Sequence, residues 1–397
     1  MNILVINSGS SSIKCQYFIE QKSVAWALIE RIGEEISYSE VRYKDQTFSN
    51  KKLLSTHQEA LEVLFALLKE SNVISSVKDL DAIGHRVVHG GAEFSEPTLI
   101  NEEVIENIRS LIPLAPLHNP ANLRGIEIIA KIQPNIPQVA VFDTAFHQTM
   151  PKYASLYPLP YELYENSGIQ RYGFHGTSHA YVAKEAAKLI GEDISRLNLI
   201  TLHLGNGASA TAIQSGKSID TSMGMTPLEG LMMGTRCGDI DPAIIPFLAS
   251  NHDMDIESID KMLNKESGLK GICGTNDMRE VITQSKDDPL SLLALEMYVH
   301  RIKKYIGSYA AILGRVDAVI FTGGIGEHAS KVREMVCEGL EESFGLKIDI
   351  DKNQKNNLMN CSIHHKTSKI ALYVISTNEE LEIVLQTEKV LENLFAI

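Results

Sequence analysis

Short apolar runs punctuate the chain. Residues 3–6, 82–88, 139–142, 199–204, 316–321 and 370–375 are mostly apolar and too brief for helices, so they read as buried strands. Helical spacing fills the intervals. Residues 58–70 place Leu61, Leu64, Phe65 and Leu68 on one face, and 121–132 follow Pro120, a good first-turn residue. Residues 178–190, 290–313 and 331–344 read as further helices. Strands alternating with helices predict an α/β fold. Residues 150–164, rich in Pro and Tyr, show neither period and read as a linker at a domain boundary.

Most of the strands run straight into polar clusters. The first enters Asn7-Ser8-Gly9-Ser10-Ser11-Ser12-Ile13-Lys14. The second carries His85-Arg86 and ends in His89-Gly90-Gly91, and the third ends in Asp143-Thr144. The fourth ends in Gly205-Asn206-Gly207, the fifth in Thr322-Gly323-Gly324-Ile325-Gly326-Glu327-His328, the sixth in Ser376-Thr377-Asn378-Glu379-Glu380. In open α/β sheets ligands bind outside the carboxyl ends of strands, so these clusters predict one composite site between two sheets. Residues 7–14 and 203–207 are related: each is a small polar loop after a strand, followed by a second apolar or β-branched stretch. Converging backbone N–H groups in such loops wrap anions. The repetition predicts a duplicated phosphate-handling fold, with Lys14 adding a positive charge.

Length and charge narrow the picture. A chain of 397 residues accommodates two domains. A net charge of −13 argues against a nucleic-acid partner and requires any anionic substrate to find a local basic cluster. Cys15, Cys237, Cys273, Cys337 and Cys361 are odd in number and scattered, which fits neither a disulfide framework nor a zinc knuckle. No apolar run reaches the roughly 18–20 residues of a membrane span, and no signal-type segment opens the chain. A cytoplasmic protein without a membrane partner is expected.

Arg86 and Arg236 supply the basic cluster. Each sits among small residues, and a guanidinium meets carboxylate or phosphate oxygens with a planar fork. Asp143 ends a strand, where a carboxylate serves as base, metal ligand or helix cap. His175, in Tyr172-Gly173-Phe174-His175-Gly176, can donate to developing phosphoryl charge. His85 and His89 are i, i+4, but at strand spacing they lie ~13 Å apart, too far to share zinc. The Gly-rich 322–328 segment reads as a turn into a helix starting near Ser330. It is neither a Walker A loop nor a dinucleotide fingerprint. Thr377 and Glu380 fit a capping box, which leaves Glu379 for a magnesium ion.

These motifs together resemble the acetate kinase family, of the superfamily that also holds sugar kinases, actin and Hsp70-type ATPases. The resemblance covers nearly the whole length and rests on residues 7–14, 84–91, 116–120, 142–147, 172–178, 203–207, 220–230, 234–239 and 377–380. It implies two domains of duplicated actin-like (ribonuclease H-like) fold with a nucleotide cleft between them. The domains would be residues 1–149 with 379–397, and 150–378, the second forming a homodimer. It also implies that Asn7 and Glu379 support Mg²⁺ (or Mn²⁺). ATP would be bound by Lys14, Ser10 and Ser12, by His203, Leu204, Gly205, Asn206 and Gly207, and by Gly324, Ile325, Gly326, Glu327 and His328. Asp277, Met278 and Arg279 would meet the adenosine end. Arg86, Arg236, Asp143 and His175 would be catalytic, and Val88, Leu117, Phe174 and Pro227, beside Arg86, would line the acetate pocket. His328 departs from the family pattern, which has Asn there.

An ionised carboxylate needs no general base, because its pKa is near ~4. The obstacle is repulsion between two anions, which two arginines, a histidine and Mg²⁺ would relieve. The expected activity is reversible in-line transfer from ATP to acetate, giving acetyl phosphate and ADP, with Asp143 orienting the site. A propionate kinase of the same fold is the alternative within enzymes, since one methylene is worth only ~1–3 kcal/mol. A non-catalytic nucleotide-switched binding protein is the alternative outside them.

Overall fold

The computed structural model describes residues 1–116, 118–355 and 359–395. The chain forms two compact units, Met1–Ala145 with Asn378–Ile397, and Phe146–Thr377. The sequence reading set these divisions at 149/150 and 378/379.

The first unit holds strands β1 (Asn2–Ser8), β2 (Ser12–Ile19), β3 (Lys22–Glu30), β4 (Ser37–Tyr43), β5 (Gln46–Lys52), β6 (Ala82–Val87), β7 (Thr98–Leu99) and β8 (Gln138–Phe142). The second holds β9 (Asn198–Leu204), β10 (Ala208–Gln214), β11 (Lys217–Thr221), β12 (Ala318–Thr322), β13 (Cys361–Ser362) and β14 (Ala371–Val374). Their orders are β5-β4-β3-β2-β1-β6-β8-β7 and β11-β10-β9-β12-β14-β13. In the first sheet β1 is antiparallel to β2 and parallel to β6, which is parallel to β8. In the second, β9 is antiparallel to β10 and parallel to β12, which is parallel to β14. One plan is built twice.

Residues 7–14 are not a free loop. Asn7 pairs with Lys14 and Ser8 with Ile13 across β1 and β2, and only Gly9, Ser10 and Ser11 turn. The Gly9 N–H donates to the Ser12 carbonyl at 2.7 Å. Ile13, Cys15 and Tyr17 alternate into the core, a period-two pattern that the serine run conceals in the sequence. The 205–207 turn joins β9 to β10 in the same way, with Gly205 N–H donating to Gly207 O at 2.9 Å. Strands β4, β5 and β11 carry too many polar residues to stand out in the sequence, whereas β3, with its apolar run 24–29, is a strand the reading passed over.

β1 is buried on both faces. Leu4 and Ile6 join Leu61, Leu64 and Ile129 of helices His57–Glu70 and Asn119–Ile132. Ile3 and Val5 join Val139, Val141, Ile383 and Val384, the last two from helix Glu379–Phe395. The chain's last helix therefore covers its first strand.

Other expectations change. Residues 331–344 form two helices, Ser330–Cys337 and Leu340–Phe344, parted where Gly339 adopts φ 76°. Residues 150–164 contain helix Lys152–Ser155 and the start of Tyr161–Ser167, each entered from a proline and too short to show a helical period. The glycine-rich segment after β12 is itself helical over Gly323–His328. The Thr377–Glu380 capping box is absent, because Asn378 caps the last helix instead, its Oδ1 accepting from Leu381 N–H at 2.9 Å.

Gly84 lies on β6 directly under that helix. A Cβ there would sit 2.7 Å from Ile383 Cγ2 and 2.8 Å from Thr387 Oγ1. Gly84→Ala should lower the unfolding free energy by about 1–3 kcal/mol, as overpacking does. Urea denaturation checks this, and an unchanged midpoint would show that the helix is not held tightly on the sheet.

Candidate active site

In the first unit the strand ends gather charge around Arg86. Its Nε lies 3.1 Å from each Asp143 oxygen, and its Nη2 is 2.9 Å from Asp143 Oδ2. Its Nη1 ion-pairs with Glu379 Oε2 at 3.2 Å. Asp143 is 2% exposed and is fixed at the end of β8 by its N–H donating to Val87 O. Burial works against the Arg86 charge, but the carboxylates of Asp143 and Glu379 outweigh it and hold the guanidinium above its usual pKa. Glu379 is therefore not free of structural duty. Asn7 stands one position beyond the Ile6–His85 pair, at the same end of the sheet as Arg86.

The backbone around this cluster is held by two asparagines that sequence reasoning missed. Asn122 Oδ1 accepts from Val88 N–H at 3.1 Å, and its amide donates to Ser8 O at 2.8 Å. Asn119 makes reciprocal bonds with the His89 backbone at 3.1 and 3.0 Å. Asn119 lies in the 116–120 motif, which was the available signal. Val88 is half-buried beside Arg86, Ser12 is half-buried, and Ser10 and Lys14 are exposed on the β1–β2 hairpin. Leu117 lies outside the described residues.

In the second unit His175, His203, Gly207 and Arg236 come together. The His175 and His203 rings stack with centroids 4.2 Å apart. A Cβ built at Gly207 would lie 3.5 Å from His175 Nε2 and 3.5 Å from Arg236 Nη1. His175 opens helix Gly176–Ile190 in the left-handed conformation, φ 56°, a strained state for a non-glycine residue. Its Nδ1 is 2.9 Å from Ser209 Oγ. Phe174 is buried, and its carbonyl accepts from His147 Nε2 at 2.9 Å. Arg236 reaches the Pro227 carbonyl at 3.4 Å. Among the described residues it has no ion-pair partner, and burial pulls its pKa below the usual arginine value. A guanidinium in that position lacks an anion.

A cavity of ≈ 780 Å³ lies in the same unit, of a size that takes a nucleotide. Gly205, Asn206, Asp277, Met278, Arg279, Gly324, Ile325 and His328 line it, as do the unforeseen Asn276, Ser330 and Lys331. Asp277 caps helix Met278–Gln284, and the Arg279 guanidinium it binds holds its carboxyl down at about 2. The Glu327 side chain serves the backbone instead, accepting from Gly323 N–H at 3.0 Å and Thr377 N–H at 3.2 Å. Leu204 and Gly326 are buried.

The acetokinase family model matches residues 2–385. The chain belongs to the acetokinase family. An acetate kinase of Sulfurovum sp. (strain NBC37-1) is 63% identical over 99% of this chain and 100% of its own length. The solved acetate kinase of Porphyromonas gingivalis matches at TM-score 0.93 and 42% identity, over 98% of this chain and 99% of that one. A propionate kinase from Francisella tularensis subsp. tularensis SCHU S4 matches at TM-score 0.91 and 44% identity, over 97% and 98%. Family membership makes the chain a phosphotransferase with a carboxyl-group acceptor, and the twice-built sheet is the plan it shares with the solved acetate kinase. Among the described residues no helix is long and apolar enough to cross a membrane.

Two buried histidines make this acetokinase scaffold sensitive to acid. His85 Nε2 bonds Gln138 Oε1 at 2.7 Å, and burial pushes the ring down to about 4. Burial likewise pushes His147 to about 4. Both rings are neutral when folded and protonate more readily when unfolded. Their contribution is intact above the ordinary value of 6.5 and is lost as pH falls towards about 4. Unfolding free energy from urea titrations should therefore drop between pH 7 and pH 5, and His85→Gln should remove part of the slope. A flat profile would contradict the assignment.

Proposed function

We propose that the protein transfers the γ-phosphoryl group of ATP to acetate, reversibly and in line, giving acetyl phosphate and ADP. The observation that carries this reading is Arg236: a half-buried guanidinium without a carboxylate partner among the described residues, sharing the space over Gly207 with His175 Nε2. Such a pair suits the equatorial oxygens of a phosphoryl group in transfer. Phosphoryl transfer is mostly positioning and electrostatic stabilisation, and a guanidinium aimed there is worth ~10³–10⁵ in rate.

Acetate arrives already ionised, so no residue has to take a proton from it. Arg86 is the cation proposed for its carboxylate, with Val88 and, by the family resemblance, Leu117, Phe174 and Pro227 around the methyl group. Asp143 holds the Arg86 fork at three short contacts, which fits an orienting role. The ≈ 780 Å³ cavity is the proposed adenosine site, with Asp277, Met278 and Arg279 on one wall and Gly324, Ile325 and His328 on another. His203, Gly205, Asn206 and Gly207 would serve the phosphates on the second unit. Lys14, Ser10 and Ser12 would do so on the first.

A divalent cation fits the charge at Arg86, where Asp143 and Glu379 together carry one more negative charge than the arginine offsets. Mg²⁺ takes oxygen donors, keeps several waters and uses one or two carboxylates, so Glu379 with Asn7 would suffice to support it. Bound there, it would draw negative charge off the phosphoryl group. We further propose a homodimer through the second unit, where Ile244, Phe247 and Ile256 are exposed on two adjacent helices. The five free cysteines fit the cytoplasm.

Hydroxylamine trapping of acyl phosphate, with ATP, Mg²⁺ and acetate, tests the reaction. Nucleotide binding without hydroxamate would point to a binding protein instead. Comparing kcat/KM for acetate and propionate sets the acceptor. Asp143→Asn should cut kcat about 10²–10³-fold, on the scale of losing one preorganised polar contact. The wild-type pH–rate profile should show no essential base near neutrality. An Asp143-dependent base limb would overturn the orienting role.

A further inference from the structure

His175 does not stand alone. Its Nδ1 lies 2.9 Å from Ser209 Oγ, and the same oxygen is 2.7 Å from Nε2 of His179. His179 Nδ1 is in turn 2.7 Å from Thr201 Oγ1. Thr201, Ser209 and His179 are all 0% exposed, so bulk solvent does not reach the row. His179 makes an edge contact with His147 at 5.7 Å, and His203 stacks on His175. A charged group near His175 Nε2 is that of Arg236, whose Nη1 shares the space over Gly207.

Only one distribution of protons satisfies every donor in this row. Burial, and then the proximity of His147 and His203, keep His179 neutral, so it carries one N–H. Suppose His175 donates from Nδ1 to Ser209. Ser209 then donates to His179 Nε2, and His179 donates from Nδ1 to Thr201. The Thr201 hydroxyl proton is left without an acceptor, because Thr201 Oγ1 has His179 as its one side-chain or backbone partner among the described residues. If both rings donate to Ser209, the serine proton is orphaned instead. In the remaining order Thr201 donates to His179 Nδ1, His179 donates from Nε2 to Ser209, and Ser209 donates to His175 Nδ1. Every buried hydroxyl proton then has an acceptor. An orphaned buried donor is costly, so this order prevails.

We infer that Thr201, His179 and Ser209 are positioning residues that set His175 as the neutral tautomer with its proton on Nε2, aimed at the space over Gly207 shared with Arg236. His175 then offers a hydrogen bond to a phosphoryl oxygen without first taking a proton from solvent. The catalytic part of this inference rests on the phosphotransfer reading above. The tautomer itself does not.

The test reads the tautomer directly. Long-range proton–nitrogen correlation spectra of the full chain, labelled with ¹⁵N-histidine, report which ring nitrogen carries hydrogen. Spectra of His175→Gln and His179→Gln assign the signals. Both rings should be protonated on Nε2 at neutral pH. Ser209→Ala should mix the His175 tautomers and lower kcat about 10–100-fold, the usual cost of losing such a support, with KM for ATP within about twofold. Ser209→Thr should restore both. Thr201→Val, which keeps shape and removes the proton, should disturb the His179 signal first. A wild-type His175 protonated on Nδ1, or on both nitrogens, overturns the proposal. So does a folded Ser209→Ala with unchanged tautomer and kcat. Failure of hydroxamate formation would sink the phosphotransfer reading and leave the spectra to be judged alone.

Discussion

A guanidinium withdrawn from water needs an anion, and each of the two units gives its own answer to that need. Arg86 is answered within the fold, by Asp143 at the end of β8 and Glu379 at the start of the last helix. Arg236 is not answered, and burial depresses its pKa with nothing among the described residues to offset it. The first arrangement fixes an arginine in place, and the second leaves one without an ion-pair partner among the described residues.

Arg236 stands among backbone that glycine keeps open. Gly207 leaves room for His175 and Arg236 where a side chain would fill the space. A Cβ at Gly234 would come 2.1 Å from Asn206 Oδ1, so a side chain there would push the Asn206 amide out of its place on the 205–207 turn. The left-handed His175 belongs with these glycines. Its strain is held by the stacked His203 ring and by the hydroxyl row behind it.

Much of this was legible in the sequence because strand-end chemistry is local. A buried strand is a short apolar run, and the polar residues that follow it are those at its carboxyl end. That logic pointed to Arg86, Asp143 and the 203–207 turn, while His175 and Arg236 stood out by their glycine-rich settings. It failed where a signal was spread across the chain. Asn122 looks like any helix residue until β1 and the 88–91 segment are brought beside it. The β1–β2 hairpin was obscured because serines occupied positions whose backbone, not side chains, revealed pairing. Glu327 and Glu379 stood in motifs that imply ligand binding. Only three dimensions show that one carboxylate ties Gly323 to Thr377 and the other holds Arg86.

The last helix belongs with the first strand, and this sets an order of events during synthesis. Ile3, Val5, Val139 and Val141 are complete once residue 145 has been made, yet their cover, Ile383 and Val384, follows the whole of the second unit. At the usual elongation speed the intervening stretch takes roughly 10–50 s to make. For that time one apolar face of the first sheet lies open while the other is already packed. A chain stopped before Asn378 would leave the open face uncovered permanently, with Arg86 holding one carboxylate instead of two.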